Sequence, residues 1–213
     1  MTPRSRAALG TLQLDIGAQP FSEEHLIYPD PTSHHLVKQR ERLTPAELQA
    51  LVDYAQWSKA LNDALEAGRL SAYQADHVRA LDGATRKWRL TTQAILYHGT
   101  RADVLDCYVN GEQNRGFLST TTRRSVALRY AEGGLLRIWV EAGTPVAHLD
   151  DAEVLSNNED SELLLGRGAR FLILDPDTVR TREPPPLEGS DAHTRIINLE
   201  LRGFAPTGYV VDS

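Results

Sequence analysis

The sequence predicts an α+β protein. Two observations carry that class: two clearly capped, amphipathic helices come before Trp88, and short apolar and alternating runs dominate after it. A third, the length of 213 residues, suits one hydrophobic core with extensions. The chain divides into an N-terminal arm, residues 1–43, and a main domain, residues 44–213.

Within the arm, Leu12, Leu14 and Ile16 alternate with polar residues and read as one short strand, after which Pro20, Pro29 and Pro31 impose turns. A helix opens at Thr44, which can cap, with Pro45 at the first helical position and Glu47 placed to complete a capping box. Leu48, Leu51, Val52, Ala55, Leu61, Ala64 and Leu65 line its apolar face, and Gly68 ends it. Ser71 to Gln74 repeats the capping signal for a second helix reaching Asp82-Gly83. Ile95-Leu96-Tyr97 reads as a buried strand, Ala102 to Tyr108 as a short helix, Phe117 to Thr121 as extended, and Arg123 to Ala131 as helical. Leu135 to Glu141, Leu163 to Leu165, Arg170 to Leu174 and Thr194 to Leu201 read as strands, and Pro184-Pro185-Pro186 as a stiff connector. Tyr28, Trp57 and Trp88 read as packing residues.

Composition narrows the function classes. Acidic residues outnumber basic ones, 29 to 23, and the net charge of −6 disfavours broad binding to nucleic acid or an anionic membrane. No apolar run approaches 18 residues, so no membrane helix is expected, and the start lacks the apolar core of a Sec signal peptide. Cys107 is the single cysteine, which excludes an intramolecular disulfide and a thiolate zinc cluster. His34-His35 lie in a proline-flanked loop without a partner at ligand spacing, so no metal is expected.

Three segments carry candidate chemistry. Tyr97-His98-Gly99-Thr100-Arg101 ends a strand: a glycine there admits close approach to the backbone, and His98 offers a donor and an acceptor beside it. A polar turn with a half-buried histidine has the same sequence. In Gly116-Phe117-Leu118-Ser119-Thr120-Thr121, alternation puts Ser119 and Thr121 on one face and Thr120 on the other. Ser119 can hold a carboxylate in position, although a strand chosen for β propensity also collects threonine. In Asn157 to Glu162, Asp160 and Glu162 point the same way on an extended segment, as general-base work or stabilisation of a developing cation requires. A solvated acidic loop is the ordinary alternative, yet Glu162 runs straight into Leu163-Leu164-Leu165 with no polar spacer. Arg115, Arg123, Arg124, Arg129 and Arg137 cluster against the lone acid Glu132, which suits a phosphate-bearing ligand or a solvated basic helix face.

In order and spacing these segments resemble the mono-ADP-ribosyltransferase family of bacterial exotoxins and effectors. Its actin- and Rho-modifying branch runs from an aromatic–Arg strand end, through an aromatic-x-Ser-Thr-Ser strand, to a Glu-x-Glu or Gln-x-Glu loop. Here Tyr97-His98, Phe117-Leu118-Ser119-Thr120-Thr121 and Asp160-Ser161-Glu162 follow that order. The stretches from Ala60 to Asp82, Leu136 to Pro145 and Glu162 to Phe171 are similar to the helical lead-in and later strands of these enzymes. The resemblance covers residues 44–174. His98-Gly99-Thr100 departs from the branch and is similar to the diphtheria-toxin and poly-ADP-ribose polymerase branch, where tyrosines stack on nicotinamide. Tyr130 is placed for that part, giving a hybrid His–Ser/Tyr–Glu set. Asp160 is shorter by one methylene than the usual Glu or Gln.

The resemblance implies a fold of two packed, mostly antiparallel β-sheets around an NAD cleft, preceded by helices. It implies NAD as co-substrate and catalytic roles for Glu162, Asp160 and Ser119. Glu162 would bond the nicotinamide-ribose 2′-OH and stabilise the oxocarbenium ion, Ser119 would orient Glu162, and Asp160 would position or deprotonate the acceptor. His98, Gly99, Thr100, Thr120, Thr121, Tyr130 and Arg129 would bind NAD. The acceptor is a macromolecule, a protein arginine in preference to nucleic acid, and an immunity or activator protein is a further expected partner. Water as acceptor would make the chain an NAD glycohydrolase, and a degenerate site would make it a binding module. The expected location is soluble, bacterial at synthesis, with translocation into a target cell.

Overall fold

The computed structural model describes residues 36–109, 114–149, 161–174 and 194–212. The strand expected at Leu12 to Ile16, the pair His34-His35, Tyr28, Asp160 and the Pro184 to Pro186 connector lie outside the described residues. The elements follow in the order β1 (Val37–Gln39), α1 (Pro45–Glu66), β2 (Arg69–Ser71), α2 (Ala72–Thr85), β3 (Trp88–Leu90), β4 (Ala94–Arg101), α3 (Ala102–Val109), β5 (Leu118–Thr121), α4 (Arg124–Arg129), β6 (Gly133–Val140), β7 (Pro145–His148), β8 (Glu162–Leu165), β9 (Ala169–Ile173), β10 (Arg195–Phe204) and β11 (Val210–Asp212).

Both predicted capping boxes form. The Thr44 hydroxyl accepts from Glu47 N while Glu47 accepts from Thr44 N, and Ser71 and Gln74 repeat the exchange at α2. The buried face of α1 is rotated from the expected one. It carries Ala50, Leu51, Tyr54, Leu61 and Leu65, whereas Leu48 is exposed. The helix kinks at Trp57, whose backbone leaves helical geometry (φ −130°, ψ 21°), and this side chain is 69% exposed rather than packed. Trp88 is buried as expected. Helix α2 runs past Gly83 to Thr85 because Ala84 and Thr85 are still packed against the core.

Nine strands form one hydrogen-bonded ladder in the order β1-β3-β7-β8-β5-β4-β6-β10-β9, and β11 pairs with β2 apart from it. Among the described strand pairs only β10–β6 and β11–β2 are parallel. The two sheets expected around a cleft are the two halves of this ladder, because β5 and β4 meet through the single pair Tyr97↔Thr121. Both halves bury apolar side chains in one core: Leu90, Val146 and Leu164 from the first, Leu96, Ile138 and Leu199 from the second. Each such side chain stabilises the fold by about 1.5–3 kcal/mol. Residues 36–39, placed by the sequence in the arm, belong to this body: Leu36 and Val37 are buried and β1 forms the edge beside β3. A three-residue strand is too short for its alternation to be read.

The end of the chain is tied in by Arg167, in the β8–β9 turn. Its guanidinium forks onto Asp82 of α2 at 2.7–3.0 Å, donates to the Thr207 carbonyl at 2.7 Å, and lies 5.2 Å from the centre of the Tyr209 ring.

Candidate active site

The site forms where β4 and β5 part. After the Tyr97↔Thr121 pair the ladder stops, and the His98 ring crosses the gap: its Nδ1 lies 2.6 Å from the Ser119 carbonyl oxygen. A carbonyl only accepts, so Nδ1 carries the proton. Removal from water lowers the His98 pKa, and the Ser119 carbonyl opposes that only in part. The ring is therefore neutral at pH 7, with Nε2 left as an acceptor.

Strand β5 pairs with β8 in the register Ser119↔Leu164, Thr120↔Leu163 and Thr121↔Glu162. Ser119 and Glu162 are thus diagonal neighbours on one face of the pair, within reach of a long side chain. The residue before Glu162 fixes its approach. Ser161 is buried and holds a left-handed backbone (φ +46°), the one non-glycine residue with positive φ among the described residues. The Glu162 carbonyl accepts from Leu149 N at 3.1 Å, which anchors the start of β8.

Helix α1 closes the site from the other side. Asn62 grips the backbone of Phe117 at both ends: Phe117 N donates to its Oδ1 and its Nδ2 donates to Phe117 O, each at 3.0 Å. The same Nδ2 lies 3.2 Å from the Tyr54 hydroxyl, which in turn donates to Phe117 O at 3.3 Å. Glu66 accepts from Arg115 N and Gly116 N, so three helical side chains pin the approach to β5. Burial pushes the Tyr54 phenol up to about 12, hydrogen bonds from Ser119 and Asn62 oppose that, and the negative charge of Glu162 adds to it. The Tyr54 hydroxyl is thus turned towards Ser119 and lies within the field of Glu162. Residues Tyr54, Asn62, His98 and Ser119 share the wall of a cavity of about 240 Å³, with Lys59 at its mouth.

The remaining predicted residues divide. The Thr120 hydroxyl donates to the Leu163 carbonyl at 2.6 Å and is buried; the Thr121 hydroxyl accepts from Arg123 N at 3.0 Å and turns the chain into α4. Both stabilise local structure. Gly99 has a packing reason beside the one the sequence suggests. A Cβ there would stand 2.0 Å from the Ala127 carbonyl and 2.8 Å from the backbone of Tyr130 and Ala131, so its vacancy is filled by the end of α4. That packing brings the Tyr130 backbone against the His98-Gly99 segment, with the Tyr130 side chain 63% exposed beside it. Thr100 continues β4 opposite Gly134, and Arg129 is exposed in the last turn of α4. Asp160 lies outside the described residues.

Tyr54 and Asn62 were not among the predicted site residues. Their signal was a polar-tipped aromatic in the apolar stripe of α1 and an asparagine, a poor helix former, beside Leu61.

The sequence of residues 33–201 matches the family model described as ADP-ribosyltransferase exoenzyme. NAD(+)–arginine ADP-ribosyltransferase EFV of Enterococcus faecalis is 26% identical over 149 residues, 64% of this chain and 30% of that protein. This chain thus spans about a third of that relative's length. Among solved structures, the Clostridium limosum C3 exoenzyme superposes with a TM-score of 0.61 at 17% identity, over 77% of this chain and 88% of the other. C3stau2 from Staphylococcus aureus, solved with NAD, gives 0.57 at 18% identity over 75% and 88%.

Proposed function

The chain belongs to the ADP-ribosyltransferase exoenzyme family, and from that premise we propose that it transfers ADP-ribose from NAD to a protein side chain, arginine in preference, and releases nicotinamide. The observation that carries this is the meeting of neutral His98, Ser119 and Glu162 on three neighbouring strands around the gap in the sheet.

The residues fit NAD. Nε2 of His98 accepts a ribose hydroxyl, since Nδ1 is fixed by Ser119 O. The cavity is below the roughly 300–1,000 Å³ that encloses a drug-sized ligand, so a dinucleotide occupies it in part and extends towards Tyr130 and the arginines of α4. Glu162 accepts from the nicotinamide-ribose 2′-OH and sets a negative charge beside C1′. The bond from C1′ to the pyridinium nitrogen breaks with its electron pair going to nicotinamide, and positive charge grows on the ribose. A preorganised carboxylate is worth most at that moment. The acceptor nitrogen then bonds to C1′ and loses a proton, the role assigned to Asp160. The arginine in the name of the enterococcal relative and an acidic residue two positions before Glu162 both favour a guanidinium acceptor. We further propose that the acceptor, and any activator, belong to a target cell.

The test is nicotinamide release from NAD by the wild type and by Glu162→Gln, with and without target-cell lysate. Release that needs the lysate, labels a lysate protein and falls at least 100-fold in Glu162→Gln is expected. Lysate-independent release without labelling would assign water as acceptor. A Glu162→Gln variant that turns over normally would overturn the role of that carboxylate.

A further inference from the structure

Helix α1 breaks at Trp57 without a proline or glycine in the neighbourhood to break it. On an unbroken helix Tyr54 and Asn62, eight residues apart, would point about 80° away from each other. In the kinked helix both side chains converge on one atom, the Phe117 carbonyl oxygen, at 3.3 and 3.0 Å, and contact each other at 3.2 Å. Phe117 stands two residues before Ser119, and its ring packs edge-on against Tyr54 with centroids 5.9 Å apart. Tyr54 is 2% exposed, so its hydroxyl sits in a fixed frame.

We propose that Tyr54 is a positioning residue: held by Asn62 and the Phe117 carbonyl, its hydroxyl fixes the Ser119 side chain, and through Ser119 the carboxylate of Glu162. The inference rests on the transferase reading of the same site. A phenol suits the role because it stays protonated across the working range of pH, and its hydroxyl can accept from one partner while donating to another. The ring fills the core between α1 and β5 whatever the hydroxyl does, so the two contributions are separable.

The experiment compares wild type, Tyr54→Phe, Ser119→Ala and the double variant, following nicotinamide release at varied NAD. Tyr54→Phe keeps the ring and its packing; a melting midpoint within a few degrees of the wild type verifies the fold. The expected result is a kcat at least tenfold lower with KM for NAD within twofold, because positioning of the carboxylate matters in the transition state more than in NAD binding. In the double variant the loss should be no larger than in Ser119→Ala alone, since one path carries both effects. An unchanged kcat, a rise confined to KM, or full additivity with Ser119→Ala would overturn the positioning role while the transferase reading stands. Should Tyr54→Phe fail to fold, Asn62→Asp offers the second route, expected to lower kcat through the same hydroxyl; normal kcat there also overturns the proposal. A wild type that releases no nicotinamide under any condition removes the transferase reading and this proposal together.

Discussion

The imidazole of His98 takes the place of a missing rung in the sheet: its Nδ1 donates to the carbonyl of Ser119 at 2.6 Å, just where the β4–β5 ladder has ended after one pair. One contact thereby satisfies a backbone acceptor and sets the tautomer, which leaves Nε2 as an acceptor. Under the proposed function, one ring nitrogen remains for the ligand, and it accepts rather than donates.

Two variants separate these duties. His98→Asn keeps a short donor near Ser119 O and lacks the second nitrogen, so denaturant unfolding should stay within about 1 kcal/mol of wild type. Its KM for NAD should rise about tenfold, the loss of one hydrogen bond worth about 1.4 kcal/mol. His98→Leu leaves the Ser119 carbonyl unpaired and should cost about 1–3 kcal/mol in the same measurement. Equal stability of the two variants would contradict the structural duty of Nδ1.

The pH dependence of stability should have two acid stages. Burial lowers the His98 pKa below its usual 6.5, so below that pH the unfolded chain binds a proton that the folded chain refuses. Stability from this group is complete above about pH 6.5 and declines as pH falls from there towards the lowered folded value. For Glu47, burial acts upward, but hydrogen bonds from Lys87 and Thr44 outweigh it; Asp53 is lowered mainly by its bond to His77. Both carboxylates contribute fully above about pH 4.5 and lose that contribution as pH falls through their folded values. Thermal melts from pH 8 to 3 should show the first stage vanish in His98→Asn and the second shrink in Glu47→Gln.

Gly99→Ala forces a methyl group into backbone rather than into a flexible side chain, 2.0 Å from the Ala127 carbonyl. The expected cost is about 3 kcal/mol or more, at the upper end for overpacking. Since the displaced segment is the end of α4, nicotinamide release should fall even at temperatures where the variant remains folded. A variant as stable as the wild type would disprove the close packing of α4 on β4.

The left-handed backbone at Ser161 can be probed in the same way. Ser161→Gly should be tolerated to within about 1 kcal/mol, because glycine adopts positive φ freely. Ser161→Val should lose about 1–3 kcal/mol, and turnover should fall more than stability alone accounts for, as the start of β8 carries Glu162 with it. Urea unfolding and nicotinamide release, measured side by side, distinguish the two effects.

Much of this fold is legible in the sequence alone. The capping boxes at Thr44–Glu47 and Ser71–Gln74 are local exchanges between residues three apart, and a chain read in order displays them completely. The strand at Leu163 to Leu165 and the alternation of Leu135 to Val140 are likewise short-range signals. Short strands such as β1 and β3 leave little trace in the sequence, since three residues hold too few periods to stand out. The buried face of α1 departs from its apolar pattern because Leu48 is apolar yet exposed, while Tyr54 hides its ring and bonds its hydroxyl. The kink that leaves Trp57 outside has no proline or glycine to announce it.

The α+β class, the helical lead-in, and the order in which His98, Ser119 and Glu162 arrive are already contained in the amino-acid order, because residue chemistry and short spacing travel with the chain. How those residues meet depends on the folded core. A single rung joins the two halves of the sheet, so His98 must reach Ser119 across a gap; β8 returns beside β5 from 40 residues away and puts Glu162 diagonal to Ser119. The folded core also decides why Gly99 is glycine, which is the passage of α4 over β4. Those contacts pair atoms far apart in sequence, and their geometry is set by the packing of the whole core, which no local pattern contains.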